Sequence, residues 1–156
     1  MDDAQTLIAT LQSAPHIIIG LIREVLPQYL KRRPSPTKWS AHEHACHISA
    51  GDTAYLLRLE LILSDPAPYI KPMLPSADEE AGSLLNTDLD EALDLYVRER
   101  ARLVERLNEL SAGDWQRTAK HEEYSHYSVF IMFRNLLLHE MLHAYRIEEL
   151  MLKKDW

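Results

Sequence analysis

The chain has 156 residues, of which 46% are hydrophobic and four are glycine, so residues 1–156 are expected to fold as one domain that needs no disulfide. The formal net charge of −7 disfavours binding to the phosphate backbone of nucleic acids, and the single cysteine, Cys46, is consistent with a reducing compartment. Because the N-terminus carries acidic rather than basic residues and the apolar run 17–22 is too short to cross a bilayer, we expect a cytoplasmic protein that does not bind membranes.

The first half of the sequence predicts two helices separated by a proline-rich linker. The first should run from about residue 4 to residue 30, and Pro15 and Pro27 should kink or divide it because proline lacks a backbone N–H donor. The second should start at Ser40 and end near residue 63, since Ser40 and Glu43 have the spacing of a capping box.

The second half predicts two further helices with unusually long connections. The segment 64–86 is too long to join neighbouring antiparallel helices, and such loops often cover a functional site. A third helix is expected over about 88–111, with Gly113 helping to end it, and 114–127 should be irregular. The last helix should cover 129–153. We therefore predict an all-α fold, a four-helix bundle with a long loop between helices 2 and 3.

Three histidines lie on the predicted inner faces of two helices. His139 and His143 are four residues apart in the last helix, which places them about 6 Å apart, and neutral imidazoles at that spacing can share a Zn²⁺, Ni²⁺ or Fe²⁺ ion. His47 lies on the inner stripe of the second helix beside small residues. Three imidazoles would leave open positions on a metal, as catalytic sites do. The alternative is a set of core or interface histidines that bind no metal.

These features together resemble the DinB-like (YfiT-like) superfamily of metalloenzymes. The resemblance rests on the segment Arg32–Ser40 with its Trp-Ser pair, on His47 seven residues later, and on His139 and His143 near the C-terminus, so it spans most of the chain. It implies a bundle with helix directions close to up-up-down-down, a divalent metal held by the three histidines, usually nickel or zinc, and a homodimer.

The resemblance also implies a class of chemistry. Characterised relatives include transferases and isomerases that use low-molecular-weight thiols, together with hydrolase-like members. For this chain it implies a small-molecule substrate and a metal that activates a water or a low-molecular-weight thiol. The sequence departs from the common pattern at Arg146, where many members have glutamine, and at Ser125-His126, where a glycine turn is frequent.

Two other functions are open at this stage. The run His139-Glu140-x-x-His143 also fits a zinc metallopeptidase, in which Glu140 would be the general base. That motif requires a further ligand downstream, and few residues remain after His143. The bundle could also be a non-catalytic dimeric metal-binding or regulatory module.

Several residues could act around the metal or on the substrate. Glu140 is a candidate base or hydrogen-bond acceptor, and Glu43, one turn before His47, is the stronger candidate to orient an imidazole. His44 and Asp52 could support the site in the same way. Arg100 could bind an anionic group of the substrate or form an ion pair. The remaining candidates are His121, on a segment that could fold over the site, and Arg146.

Overall fold

The computed structural model describes residues 2–154 and contains four long helical segments with short elements between them. In chain order the elements are α1 (Asp2–Glu24), α2 (Pro27–Leu30), α3 (Ala41–Ser49), α4 (Gly51–Ser64), β1 (Tyr69–Ile70), α5 (Ala77–Ala81), a 3₁₀ turn (Ser83–Asn86), α6 (Leu89–Asn108), α7 (Ala112–Gln116), β2 (Lys120–His121) and α8 (Val129–Leu152). The predicted all-α four-helix bundle is confirmed: α1, the α3–α4 pair, α6 and α8 are its four members.

The order of the helices around the bundle differs from their order in the chain. Both α1 and α3 pack against α6 and α8, so α1 and α3 lie diagonally across the bundle. One end of the core contains Leu11, Leu59, Leu107 and Phe133. The other end contains Ile22, Ala45, Leu93 and Ile147. The helix directions are therefore up, down, down, up, rather than the up-up-down-down order that the resemblance implied.

Local sequence signals set most helix boundaries. Ser40 and Glu43 form the predicted capping box at the start of α3, and Asp88 caps α6. Pro15 lies inside α1 without ending it, whereas Pro27 starts α2. The predicted second helix is divided at Ala50 into α3 and α4.

The segments expected to be irregular contain short elements. Gly113 lies inside the short helix α7 instead of ending the third helix, which already stops at Asn108. Strands β1 and β2 pair in parallel, with Ile70 opposite His121. Each strand has only two residues, too few to give an alternating pattern in the sequence. The pair fastens the 65–88 connection to the segment before α8.

Helix α1 combines a long apolar sequence with a role in the core. Within the described residues, Asp3–Glu24 is long and apolar enough to cross a membrane by length and composition alone, a property that core helices share. Its side chains Leu7, Leu11, Ile18 and Ile22 are buried against the other helices. The apolar face of α1 is therefore used by the bundle.

A buried ionic network joins all four members of the bundle. Arg100 of α6 donates through Nε to Asp52 of α4 at 2.7 Å and through Nη2 to the same carboxylate at 2.9 Å. The guanidinium also donates to Glu140 of α8 and, through Nη1, to the backbone carbonyl of Leu11 in α1 at 2.6 Å. The side chains of Asp52 and Glu140 are 0% exposed and that of Arg100 is 3% exposed.

Removing the guanidinium should destabilise the protein strongly. We expect Arg100→Met to lower the free energy of unfolding by about 3–5 kcal/mol, because two carboxylates would remain buried without a cation. Urea denaturation followed by circular dichroism measures the change. Arg102→Met is the matched control on the same helix, since the Arg102 side chain is 64% exposed and its pair with Glu99 should contribute less than about 1 kcal/mol. Equal stabilities of the two variants would contradict the role given to the network.

Candidate metal centre

The three predicted histidines converge between α3 and α8. The capping box at Ser40 starts α3 in a register that points His47 towards α8, on which His139 and His143 lie one turn apart. One ring nitrogen from each histidine lies within 4.8 Å of the others, and Nε2 of His143 is 3.0 Å from Nε2 of His139. Ligands at 2.0–2.1 Å from a common ion would be about 3–4 Å apart. The His139–His143 pair therefore has the spacing of two ligands of one ion, and a nitrogen of His47 lies within 4.8 Å of both.

The protonation state of these imidazoles also suits a metal. Burial, assisted by the neighbouring imidazoles, holds the pKa of His143 far below its ordinary value, and burial lowers the pKa of His139 as well. Both rings therefore stay neutral across the physiological pH range, and a neutral imidazole is the form that donates a lone pair to a metal.

A fourth histidine contacts the outer side of the centre. Nδ1 of His44 is 2.8 Å from Nδ1 of His143, and burial lowers the pKa of His44 to about 4. With both rings neutral, one nitrogen of this contact carries the proton and the other accepts it. When His143 is the donor, its Nε2 is left with the lone pair that a metal requires. In that arrangement His44 would hold the tautomer and orientation of His143, as hydrogen-bond partners of metal ligands commonly do.

Glu79, which sequence analysis did not identify, lies beside His47. Its Oε1 is 3.4 Å from Nδ1 of His47, a contact that leaves Nε2 of that ring available to a metal. Glu79 belongs to α5, where Ser76 and Glu79 form a capping box. That spacing was visible in the sequence and could have predicted a short helix within the long connection.

Glu43 has a different partner from the imidazole expected for it. Its carboxylate, 0% exposed, accepts from Nε of Arg33 at 2.9 Å and from the Ser40 hydroxyl at 2.8 Å. Nη2 of Arg33 also donates to the carbonyl of Glu80 at 3.2 Å. Glu43 thus acts on the site indirectly, because the Arg33 bridge ties α5, and with it Glu79, to the start of α3.

The indole of Trp39 covers one side of the histidine cluster. Its centroid lies 4.8 Å from that of His47, 5.6 Å from His44 and 6.0 Å from His143. In the sequence, Trp39 belongs to the Trp-Ser pair that precedes α3. The ring limits access of water on that side of the cluster.

The other candidates lie in three different places. Asp52, Arg100 and Glu140 form the buried network, so Arg100 is ion-paired and not accessible to a substrate. His121 lies in the wall of a cleft beside the histidines, stacked on Tyr124. Arg146 is half exposed, pairs with Glu149 at 2.7 Å and lines a second cavity, of about 1090 Å³, to which Trp39 and His44 also contribute.

The histidine cluster opens into a cleft of about 820 Å³. His47 and His139 contribute to its floor, and the long connection contributes Pro72, Met73, Leu74 and Glu79 to its wall. The prediction that this connection covers a functional site is consistent with its position. A small organic molecule fits a cleft of this volume.

Comparisons with known proteins agree with this architecture. The sequence matches the family model of the DinB superfamily over residues 10–147. The structure is similar to that of YfiT from Bacillus subtilis, with a TM-score of 0.83 and 18% sequence identity, over 94% of this chain and 85% of YfiT. YfiT is described as a probable metal-dependent hydrolase with an unusual four-helix bundle topology. Comparison with curated proteins gives no significant match.

The contact between His44 and His143 predicts a graded effect on metal affinity. We expect His44→Leu to weaken zinc binding by about 10–100-fold, and His44→Asn to recover most of the loss because the amide oxygen can accept from Nδ1 of His143. Competition with a chromophoric chelator measures the zinc dissociation constants of both variants. His42→Asn is the control on the same helix, since His42 contacts the carbonyl of Leu84 instead. If both His44 variants bound zinc as tightly as the wild type, the contact would have no role in the site.

The buried carboxylate of Glu140 predicts a pH dependence of stability. Burial raises the pKa of Glu140 to about 7, with Asp52 adding to the rise and Arg100 opposing it. A glutamate in the unfolded chain has a pKa of about 4.3. At pH values between the two pKa values, the folded protein therefore holds a proton on Glu140 that the unfolded protein has lost. The contribution of Glu140 to stability is therefore present at low pH and is lost as the pH rises through about 7.

The comparison with Glu140→Gln isolates this contribution. The buried histidines act in the opposite direction. Because their pKa values are lowered in the folded protein, their contribution to its stability is lost as the pH falls. As the pH rises from 5 to 8, the free energy of unfolding of metal-free Glu140→Gln should increase, relative to that of the metal-free wild type, by on the order of 1–3 kcal/mol. Urea denaturation at several pH values measures the difference, with Glu149→Gln at a half-exposed position as the control. A difference that does not change with pH would contradict the raised pKa.

Proposed function

This chain belongs to the DinB superfamily, and on that premise we propose that it is a divalent-metal-dependent enzyme that catalyses transfer or hydrolysis on a small molecule. One observation carries the proposal: ring nitrogens of His47, His139 and His143 converge within 4.8 Å, and His47 and His139 line an open cleft. A closed structural zinc site has four protein ligands, whereas three ligands leave room for a reactant.

The residues of the chain have separate roles in this proposal. His47, His139 and His143 would hold the ion, and His44 and Glu79 would orient two of these rings. Trp39 would shield one side, so reactants approach from the cleft. A nickel or zinc ion held there would act as a Lewis acid and lower the pKa of a water or a thiol to near neutrality.

Hydrolysis and thiol transfer are both within this proposal. The description of YfiT as a probable metal-dependent hydrolase supports hydrolysis, with water as the second reactant. The resemblance to thiol-dependent relatives supports a low-molecular-weight thiol instead. The cleft of about 820 Å³ is large enough for a small substrate together with either reactant.

The structure offers little support for a metallopeptidase. The carboxylate of Glu140 is 0% exposed and is held by Arg100, so a different residue would have to act as general base. In residues 2–154 the strands are two residues long and already paired with each other. Strands of this length are too short to align an extended peptide substrate.

We also propose that the enzyme works in the cytoplasm as a homodimer and binds neither nucleic acid nor membranes. The net charge of −7 supports the exclusion of nucleic acid. The resemblance to the superfamily supports the homodimer. Sedimentation velocity tests the dimer, and a monomer at all accessible concentrations would contradict it.

Metal analysis tests the core of the proposal. Untagged protein should contain about one divalent ion per chain, and His47→Ala, His139→Ala and His143→Ala should each lose it, as measured by elemental mass spectrometry. His126→Ala is the control, since His126 is an exposed histidine outside the cluster. A wild type that binds no divalent ion when supplied with nickel or zinc would refute the proposal.

A substrate screen then separates the reaction types. A panel of esters and amides without added thiol tests hydrolysis, and a panel of electrophiles with low-molecular-weight thiols tests transfer. We expect turnover in one panel that disappears in His139→Ala. Stoichiometric metal without turnover in either panel would favour a non-catalytic binding module.

A further inference from the structure

The cleft beside the histidines contains an arginine that lacks an anionic partner. Arg58 of α4 lines the cleft, and its Nη2 donates to the backbone carbonyl of Lys71. Within residues 2–154, Arg58 forms no ion pair with a carboxylate, whereas Arg106 on the neighbouring helix pairs with Glu60 at 2.7 Å. The guanidinium of Arg58 therefore keeps N–H donors for another acceptor.

Two phenol groups lie next to this guanidinium. Tyr127, 3% exposed, interacts with Arg58 through its hydroxyl. The guanidinium carbon of Arg58 lies over the ring of Tyr55, 5.9 Å from its centroid, and Tyr55 is 8% exposed. A phenol oxygen that accepts from a guanidinium still has its O–H to donate. Arg58, Tyr55 and Tyr127 thus form a group of donors on the cleft wall.

None of the carboxylates that line the cleft forms an ion pair with Arg58 within residues 2–154. Glu79 is engaged by His47 and by the backbone of Ser76. Glu140 is held by Arg100, and the side chain of Glu123 is exposed. Planar guanidinium groups bind carboxylates through two parallel hydrogen bonds, and charge-assisted bonds of this kind are about twice as strong as neutral ones.

The rest of the cleft wall is apolar or aromatic. His121 stacks on Tyr124 with ring centroids 4.5 Å apart, and Tyr124 is nearly parallel to Tyr127 with an interplanar angle of 15°. Leu138 and Met73 line the cleft with exposed side chains. An apolar or aromatic ligand body would contact these residues.

We propose that Arg58, Tyr55 and Tyr127 form a carboxylate-binding subsite, so that the substrate is an organic anion with an apolar or aromatic body. The carboxylate would bind at Arg58, which leaves another part of the molecule to face His47 and His139. This inference rests on the proposed function for the position of the reacting group. The binding subsite itself can be tested without metal.

Titration calorimetry with two matched probes tests the subsite. The probes are 3-phenylpropionate and its neutral amide, added to the full chain in both zinc-loaded and metal-free forms. In both forms the wild type should bind the carboxylate at least about tenfold more tightly than the amide. Arg58→Gln should abolish this preference, Tyr127→Phe should reduce it, and Arg58→Lys should keep part of it. The control Arg134→Gln removes an exposed arginine outside the cleft and should change nothing.

Each other outcome overturns the subsite. A wild type that does not prefer the carboxylate, or an Arg58→Gln variant that retains the preference, contradicts it. A preference that requires zinc and is unaffected at Arg58 would mean that the carboxylate binds the metal, which also contradicts it. Failure of the proposed function would give a different result. The protein would then bind no metal, but its metal-free form would still prefer the carboxylate over the amide.

Discussion

The structure depends on one buried cation that is shared by two carboxylates. Arg100 binds Asp52, Glu140 and the carbonyl of Leu11, so four parts of the bundle meet at one guanidinium. Successive helical residues are rotated by about 100°, so His139 and His143 lie about 100° and 60° round α8 from Glu140, on the same side. Fixing Glu140 towards α4 and α6 therefore turns both histidines towards α3, where His47 lies.

The direction of the helices explains the long connection between α4 and α6. Both run the same way, so the chain must return along the length of the bundle, and a helix of 20 residues is about 30 Å long. An extended chain spans that distance in about ten residues, and the 65–88 connection has more. The surplus residues form α5, which brings Glu79 to His47 and closes one side of the cleft.

Local signals in the sequence predicted the features that depend on local physics. Capping at Ser40, the apolar periodicity and the spacing of His139 and His143 depend on neighbours within one or two helical turns, so helix positions and the histidine cluster could be inferred. The partners of Glu43 and Arg100 depend on the tertiary fold. Glu43 binds Arg33 across a turn, and Glu79 reaches His47 from 32 residues away. Periodicity carries no information about such distances, nor about helix direction.

The ionic network around Arg100 argues against a metallopeptidase interpretation of the His139-Glu140-x-x-His143 pattern. In a metallopeptidase the glutamate must reach a reactant, whereas here Glu140 faces the core and is neutralised by Arg100. With that carboxylate withdrawn, the centre presents neutral imidazoles, and the guanidinium of Arg58 is the cation in the cleft wall. The burial of one carboxylate thus both sets the register of the metal ligands and removes a negative charge that would repel an anionic substrate.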